Sequence, residues 1–498
     1  MDGTATQQFI RTTLLLLASL MAAPLAAQNT TFATETQIDL QVPEENRTLG
    51  TQESSKESSP PKSENGFFKR LIKAYRDDWS GVSAGPEPAR RIPPAPLDSP
   101  PFPNADWPYG GAPDIGAPDT NVYPLMEAIN GASSKIKVYG WVEPSVNVST
   151  SRHTLFPTGY NIYSNTAVLD QGVVYVEKLV DTVQAEHVDL GFHLTGFYGV
   201  DYRFTTAKGW LSQQLLKYNR QYGFDPMLEY ADIYIPHAAD GMNIRIGRYL
   251  SIPDIEAQLA PNNYIFSHSL LYSFDPFTQT GVLTTVKLNN RWVVQAGLSA
   301  GNDIAPWAAG GKPSLTACVS YTFRDGNDNL YPCVSGINSG KYAYNNVQFF
   351  VATWNHKFNQ SWHMATESWY MYERDVPSVS PGLASPLPTE TNANGAFCGV
   401  GELKCFAPEW AIVNYLQKEF NTRNYISLRT DYLDDIKGQR TGIQTKYTEH
   451  TLMWGHWLGN TVLFRPELRF EHSYDMPAYD NGNKKSQLTF AVDVIYKF

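Results

Sequence analysis

The sequence predicts an all-β fold: a transmembrane antiparallel up-and-down β-barrel of about fourteen strands, with sixteen as the alternative. Three observations carry that expectation. Apolar and polar residues alternate over segments of about ten positions or more, the length of a tilted membrane-crossing strand. Short connections between those segments alternate with long ones. Beyond the N-terminal segment, no apolar run reaches the ~20 residues of a spanning helix. Only helices and closed barrels satisfy every backbone hydrogen-bonding group inside lipid, which leaves an exported soluble protein or a barrel.

Composition narrows the choice. The chain has 498 residues and a formal net charge of -10; 18% of it is charged, 13% is aromatic, and 29 residues are tyrosine. An acidic chain argues against a nucleic-acid partner, which needs a basic face. A tyrosine-rich, charge-poor composition suits a β-rich or interfacial protein.

From the N-terminus, residues 1–27 read as a signal peptide. Arg11 supplies positive charge, although Asp2 weakens the basic region; TTLLLLASLMAAPLA is a short apolar core, and cleavage after Ala27 fits a small-residue site. Residues 28–132 have no two-residue period and form a Pro-rich, low-complexity leader expected on the periplasmic side. Within it, near 66–79, GFFKRLIKAYRDDW spaces Phe68, Leu71, Ile72 and Tyr75 as one helical face among basic residues. A short amphipathic helix touching a membrane surface or a partner is expected there, with a solvated segment as the alternative.

The barrel is expected over 133–498. In KIKVYGWVEPSVNVSTS, Ile136, Val138, Val142, Val146 and Val148 share one face, and Lys135, Lys137, Glu143, Ser145 and Asn147 the other. HVDLGFHLTGFYGVDYRF sets Val188, Leu190, Phe192 and Leu194 against Asp189, His193, Thr195 and Asp201. TVLFRPELRFEHS sets Val462, Phe464, Leu468 and Phe470 against Arg465, Glu467, Arg469 and Glu471. Long connections fall near 151–168, 204–226, 251–278, 303–342, 376–407, 435–441 and 474–484, and a hairpin hidden around TACVSYTF raises the strand count to sixteen. Aromatics near strand ends, such as Trp292, Trp362, Trp454 and Trp457, suit a lipid–water boundary. At the C-terminus, SQLTFAVDVIYKF ends in mid-pattern, as the closing strand of a barrel would. Tyr496 and Phe498 on its apolar face resemble a signal read by barrel-insertion machinery.

The polar faces supply the candidate interior lining: Lys135, Lys137, Asp189, His193, Asp201, Arg203, Arg245, Arg429, Asp431, Arg465, Glu467, Arg469 and Glu471. Charges of both signs there set a transverse field, or else pair into a ladder that braces the wall. LSIPDIEAQLAPNNYIFSHSLLYSFDP is too apolar for a solvated loop. It is expected to fold into the barrel as a constriction, with a short helix capped by Ser251 and with Asp254 and Glu256 facing Arg245 or Arg248. Packing on the rim or at a subunit contact is the alternative.

The four cysteines of an exported chain suggest disulfides, and the sequence-local pairs Cys318–Cys333 and Cys398–Cys405 are expected, both in long loops. No CxxC or His pair suggests a metal site. GLSAG at 297–301 matches a nucleophile motif but sits in an alternating strand. DGNDN at 325–329 has alternating oxygen ligands but lacks the glycine at position six and the closing glutamate of a calcium loop, with a loop-bound cation as the alternative. No enzyme, cofactor or metal is therefore expected.

The stretches NIRIGRYLSIPDIEAQLAPNNYIFSHSLLYSFDPFTQTGV, GKYAYNN, WHMATESWYMYERDVP and ARRIPPAPLDSPPFPNADWPYGG resemble the putative β-barrel porin-2 family (OmpL-like) of bacterial outer membranes. The resemblance covers nearly the whole mature chain. It implies an integral outer-membrane porin of a Gram-negative cell, a water-filled channel for passive diffusion of small hydrophilic solutes. It supplies no functional residues. The implied partners are outer-membrane lipids, the barrel-assembly machinery and the solutes, with a homo-oligomer left open. The competing readings are an oligosaccharide-selective channel and a non-transport scaffold or adhesin barrel.

Overall fold

The computed structural model describes residues 66–81, 123–129, 134–182, 184–251, 254–289, 291–323, 327–359, 361–379, 395–421 and 423–498. The signal peptide and most of the leader lie outside them.

The wall begins with β1 (Lys137–Ser149), β2 (Ala167–Lys178), β3 (Asp189–Gly199), β4 (Gly223–Asp225), β5 (Glu229–Ile235) and β6 (Met242–Leu250). It continues through β7 (Thr278–Lys287), β8 (Trp292–Asn302), β9 (Ser314–Thr322), β10 (Asp328–Ile337) and β11 (Gln348–Lys357). It is completed by β12 (Trp362–Pro377), β13 (Lys404–Asn421), β14 (Asn424–Asp435), β15 (Thr445–Leu458), β16 (Val462–Ser473) and β17 (Ser486–Lys497). Neighbours are antiparallel throughout, and β17 pairs back onto β1, with Val146 opposite Val492 and Val148 opposite Phe490. Beyond β17, Phe498 exchanges both backbone bonds with Gly140, 2.9 and 3.1 Å. Among the described residues, closure pairs every strand of the wall except the short β4 on both edges, as a lipid environment requires.

β4 and β5 both pair with β3, as one interrupted stave, so the seventeen strands make a barrel of sixteen staves. Sixteen is thus the count that holds. The pair absent from a count of fourteen is β9–β10, which lies inside the stretch 303–342 that reads as a single loop.

Alternation decides which side of the wall each residue takes. On β1, Val142, Val146 and Val148 are exposed while Trp141, Glu143, Ser145 and Asn147 are buried. On β16, Phe464, Leu468 and Phe470 are exposed, and Arg465, Glu467, Arg469 and Glu471 are buried. A soluble protein would invert this arrangement; an apolar exterior around a charged interior is what lipid selects. Trp292, Trp362 and Trp454 are exposed on the outer face, but Trp457 is buried, contrary to its expected boundary position, because its place in β15 has interior parity.

One end of the barrel carries short turns such as 288–291, 358–361 and 459–461; the other carries long connections, including 150–166, 200–222, 251–277 and 378–403. Against the short-turn end lies helix α1 (Phe67–Ser80), followed by α2 (Pro124–Ile129). The Asp78 carboxylate accepts from the Asn460 backbone N–H at 2.9 Å and from Thr461 Oγ1 at 2.8 Å. Trp79 donates to Thr461 Oγ1 at 2.9 Å, and the Tyr75 hydroxyl donates to the Lys497 carbonyl at 2.9 Å. Tyr75 also stacks on Tyr496, with 5.2 Å between centroids, beside the seam that closes the barrel.

Candidate functional site

The connection 251–277 between β6 and β7 turns into the barrel. Ile255, Leu259, Tyr264, Ile265, Leu270, Leu271 and Phe274 are buried in one cluster with the interior residues Trp369, Met371, Val413, Tyr415 and Tyr425. This explains its apolar composition: the segment is core, and the core sits inside the barrel.

Irregular backbone that leaves water must find partners for its N–H and C=O groups. Here the charged wall supplies them. Arg465 Nη1 donates to the carbonyls of Ala260, Asn263 and Ile265 at 3.1, 2.9 and 3.2 Å. Arg429 donates to the Ser267 carbonyl and, at 2.9 Å, to its hydroxyl. Arg469 donates to the His268 carbonyl at 2.5 Å. In the opposite sense, wall carboxylates accept from loop N–H groups: Glu367 from Ile255 at 2.8 Å, Glu467 from Ser267 at 2.9 Å and Asp431 from Leu270 at 2.7 Å. The same arginines pair along the wall, Arg465 with Asp493 at 2.6 Å and Glu143 at 3.0 Å, Arg429 with Glu449 at 3.0 Å, and Arg469 with Glu471 at 2.8 Å. Field and ladder are therefore not exclusive: the ladder is present, and its spare donors hold the loop.

The helix expected near Ser251 does not form over 254–259. After a 3-10 turn at Ala260–Asn262, the α-helical turn in this loop is α5 (Leu270–Phe274, following α3, Tyr202–Thr205, and α4, Gln213–Leu216), capped by the Ser269 side chain, which accepts from the Tyr272 N–H at 3.0 Å. Asp254 and Glu256 do not face Arg245 or Arg248 either. Arg245 pairs with Asp232 and Arg248 with Asp225, at 2.8 and 2.7 Å. Glu256 accepts from the Tyr415 hydroxyl at 2.6 Å and lies 3.0 Å from His268 Nδ1. Burial would raise its carboxyl, but His268, Arg429 and Tyr415 outweigh that and hold it at about 2. Burial and the adjacent Asp275 push Asp254 well above the usual carboxyl range.

The remaining lining candidates divide. His193 faces the interior, its Nδ1 2.7 Å from Glu177. Asp189 sits at the start of β3 and binds Lys178 at 2.8 Å. Lys137 opens β1, its ammonium 4.2 Å from the Tyr123 ring centre. Lys135 precedes β1 and is exposed, because the paired wall begins only at Lys137. Asp201 and Arg203 are buried but stand in the 200–222 connection, since β3 ends at Gly199. A Cβ at Gly199 would lie 1.9 Å from the Asp170 carbonyl, so only glycine permits the close approach at which β3 ends. Burial raises Asp201, which accepts from Gln171 at 3.0 Å, to about 7.

Cys318 pairs with Cys333 and Cys398 with Cys405. Only the second touches a long connection, tying 395–403 to the start of β13. The first bridges directly opposed residues of β9 and β10, a correction that follows from the hairpin hidden in 303–342. Ser299 lies in the paired run of β8 opposite Gly281 and Ser314, without the strand–turn–helix of a nucleophile elbow. In DGNDN, residues 325–326 lie outside the described residues, and Asp328 accepts from Trp354 at 2.7 Å.

Sequence reasoning missed Glu143, Glu367, Glu449 and Asp493 as functional partners. Glu143 and Asp493 stand on faces legible as polar, so parity was the available signal. Nothing in the sequence marks which carboxylate meets a loop N–H.

A family model described as putative beta-barrel porin-2, OmpL-like, matches residues 135–498. No curated protein matches the chain. Among solved structures, the anion-selective porin from Comamonas acidovorans is similar at 11% identity and a TM-score of 0.46, over 73% of this chain and 99% of that one. The outer membrane channel DcaP of Acinetobacter baumannii is similar at 11% identity and a TM-score of 0.45, over 73% and 97%. OmpT in trimer form, an outer membrane protein of Vibrio cholerae, is similar at 10% identity and a TM-score of 0.42, over 73% and 99%.

Proposed function

The chain belongs to the putative beta-barrel porin-2, OmpL-like family and is an integral outer-membrane porin; from that premise we propose that it is a narrow channel for small hydrophilic solutes, restricted by the inward connection 251–277. One observation supports the proposal: a long loop is bound inside the barrel by wall arginines and carboxylates, a position from which it would narrow an open lumen. Arg429, Arg465 and Arg469 are buried beneath the loop, so in this reading they act on a crossing solute by fixing that loop in place and not by direct contact. In this reading the protein performs no covalent catalysis. Outer-membrane lipid covers the apolar exterior, and the barrel-assembly machinery reads Tyr496 and Phe498. Purified protein added to a planar bilayer should give discrete conductance steps; a protein correctly folded by heat-dependent gel mobility that gives none would refute the channel.

A second reading, passage of oligosaccharides, has its own observation. Tyr139, Tyr175, Trp141, His193 and Tyr230 form a row across β1, β2, β3 and β5 with neighbouring ring centres 4.5–5.2 Å apart. In this reading a sugar reaches the row at Tyr139, its half-buried ring, since the other four are buried. Block of the conductance by maltooligosaccharides would favour it, and indifference would favour a general pore.

A further inference from the structure

Three carboxylates meet where the inward loop leaves and rejoins the wall. Asp254 lies near the start of the loop, Asp275 near its end, and Glu367 on the interior face of β12. One carboxylate oxygen from each falls within 4.8 Å of the others. Asp275 is 0% exposed and Glu367 1%. Among the described residues no hydrogen-bond donor reaches Oδ1 of Asp254, either carboxylate oxygen of Asp275, or Oε1 of Glu367. The nearby cationic groups direct their donors elsewhere: Arg440, whose charge reaches Asp275, donates to the Phe274 carbonyl and to Asn345, Arg429 to Glu449 and Ser267, and His268 lies against Glu256.

A buried carboxylate with no donor is costly, and three together compound the cost by mutual repulsion. Asp275 is the sharpest case, because both of its oxygens are buried and unpartnered beside two further acids. We propose that Asp254, Asp275 and Glu367 bind one divalent cation of the calcium type, which ties both ends of the inward loop to the barrel wall. Oxygens sharing a calcium at 2.3–2.6 Å lie at most roughly 5 Å apart, a limit the cluster meets. An all-oxygen ligand set suits a hard cation and disfavours zinc or copper, which favour nitrogen or sulfur donors. The second oxygen of Glu367 already accepts from the Ile255 N–H, which fixes the orientation of the first. The three residues are far apart in sequence and match no calcium-loop spacing, so sequence analysis expected no metal here. The inference depends on the loop's inward position but not on which solute crosses, so its readout is metal binding and not conductance.

The test uses the full mature chain in detergent, freed of lipopolysaccharide, which binds calcium itself, and stripped with EDTA. Equilibrium dialysis against radioactive calcium at neutral pH should give one ion per chain. Asp275→Asn and Glu367→Gln should each weaken binding about tenfold or more, since affinity follows ligand charge. Glu402→Gln, at an exposed loop residue, should leave it unchanged. Heat-dependent gel mobility identifies folded samples; if Asp275→Asn does not fold, the isosteric Glu367→Gln and the wild-type stoichiometry still decide. Absence of stoichiometric calcium in the folded wild type, or wild-type affinity in a folded variant, would overturn the proposal and leave shared protons as what neutralises the cluster.

Discussion

Arg465 is fully buried, yet its guanidinium is saturated: Asp493 and Glu143 take one side and three loop carbonyls the other. A planar fork of five donors suits this double role, and a lysine would not reproduce it. Arg465→Ala should therefore strand two buried carboxylates and release the loop. The expected loss is about 3–5 kcal/mol, the scale for breaking a buried pair, read as a lower temperature for the gel-mobility transition. Glu256 gives a pH prediction. Its folded carboxyl lies at about 2, below the ordinary 4.5, so it stabilises the folded loop. That contribution is complete above about pH 4.5 and is lost as pH falls towards 2. Proteolysis of the loop should accelerate across that window in wild type and show less change in Glu256→Gln. At this scale the sequence was partly legible. Arg429, Arg465 and Arg469 stand on faces readable as interior, but their ligands are main-chain carbonyls, which any residue carries.

Among the elements, the strands with large apolar residues on one face and charges on the other were the most legible, because lipid on one side and a polar interior on the other enforce that contrast. β9 and β10 were obscured by their content: LTACVSYT is small and weakly polar, and the alternation is shallow. The helix of the inward loop was expected near the acidic residues at its start but forms at Leu270–Phe274, where Ser269 supplies the cap. Glu256 instead holds loop to wall through the Tyr415 hydroxyl. Helix α1 was legible from its spacing, but its docking was not, since the contact depends on Asp78 meeting Asn460 and Thr461, far along the chain. Asp78→Asn should loosen α1, raising amide exchange over 67–80 while leaving the barrel's gel mobility unchanged.

For the molecule as a whole, closure is the fact that organises the rest. β17 meets β1, α1 braces the short-turn end beside that seam, and the inward loop packs against the interior face of the wall. Replacing Phe498 with serine should reduce insertion into the outer membrane, read as a smaller heat-modifiable fraction; an unchanged fraction would count against its role as an assembly signal. The central claim is that the 251–277 connection restricts the channel. Single-channel conductance of the wild type against a variant lacking residues 254–274, with a short Gly-Ser bridge across the gap and normal heat-modifiability, tests it most directly. A clear rise in conductance is the predicted result; equal conductance in the two folded proteins would contradict the account.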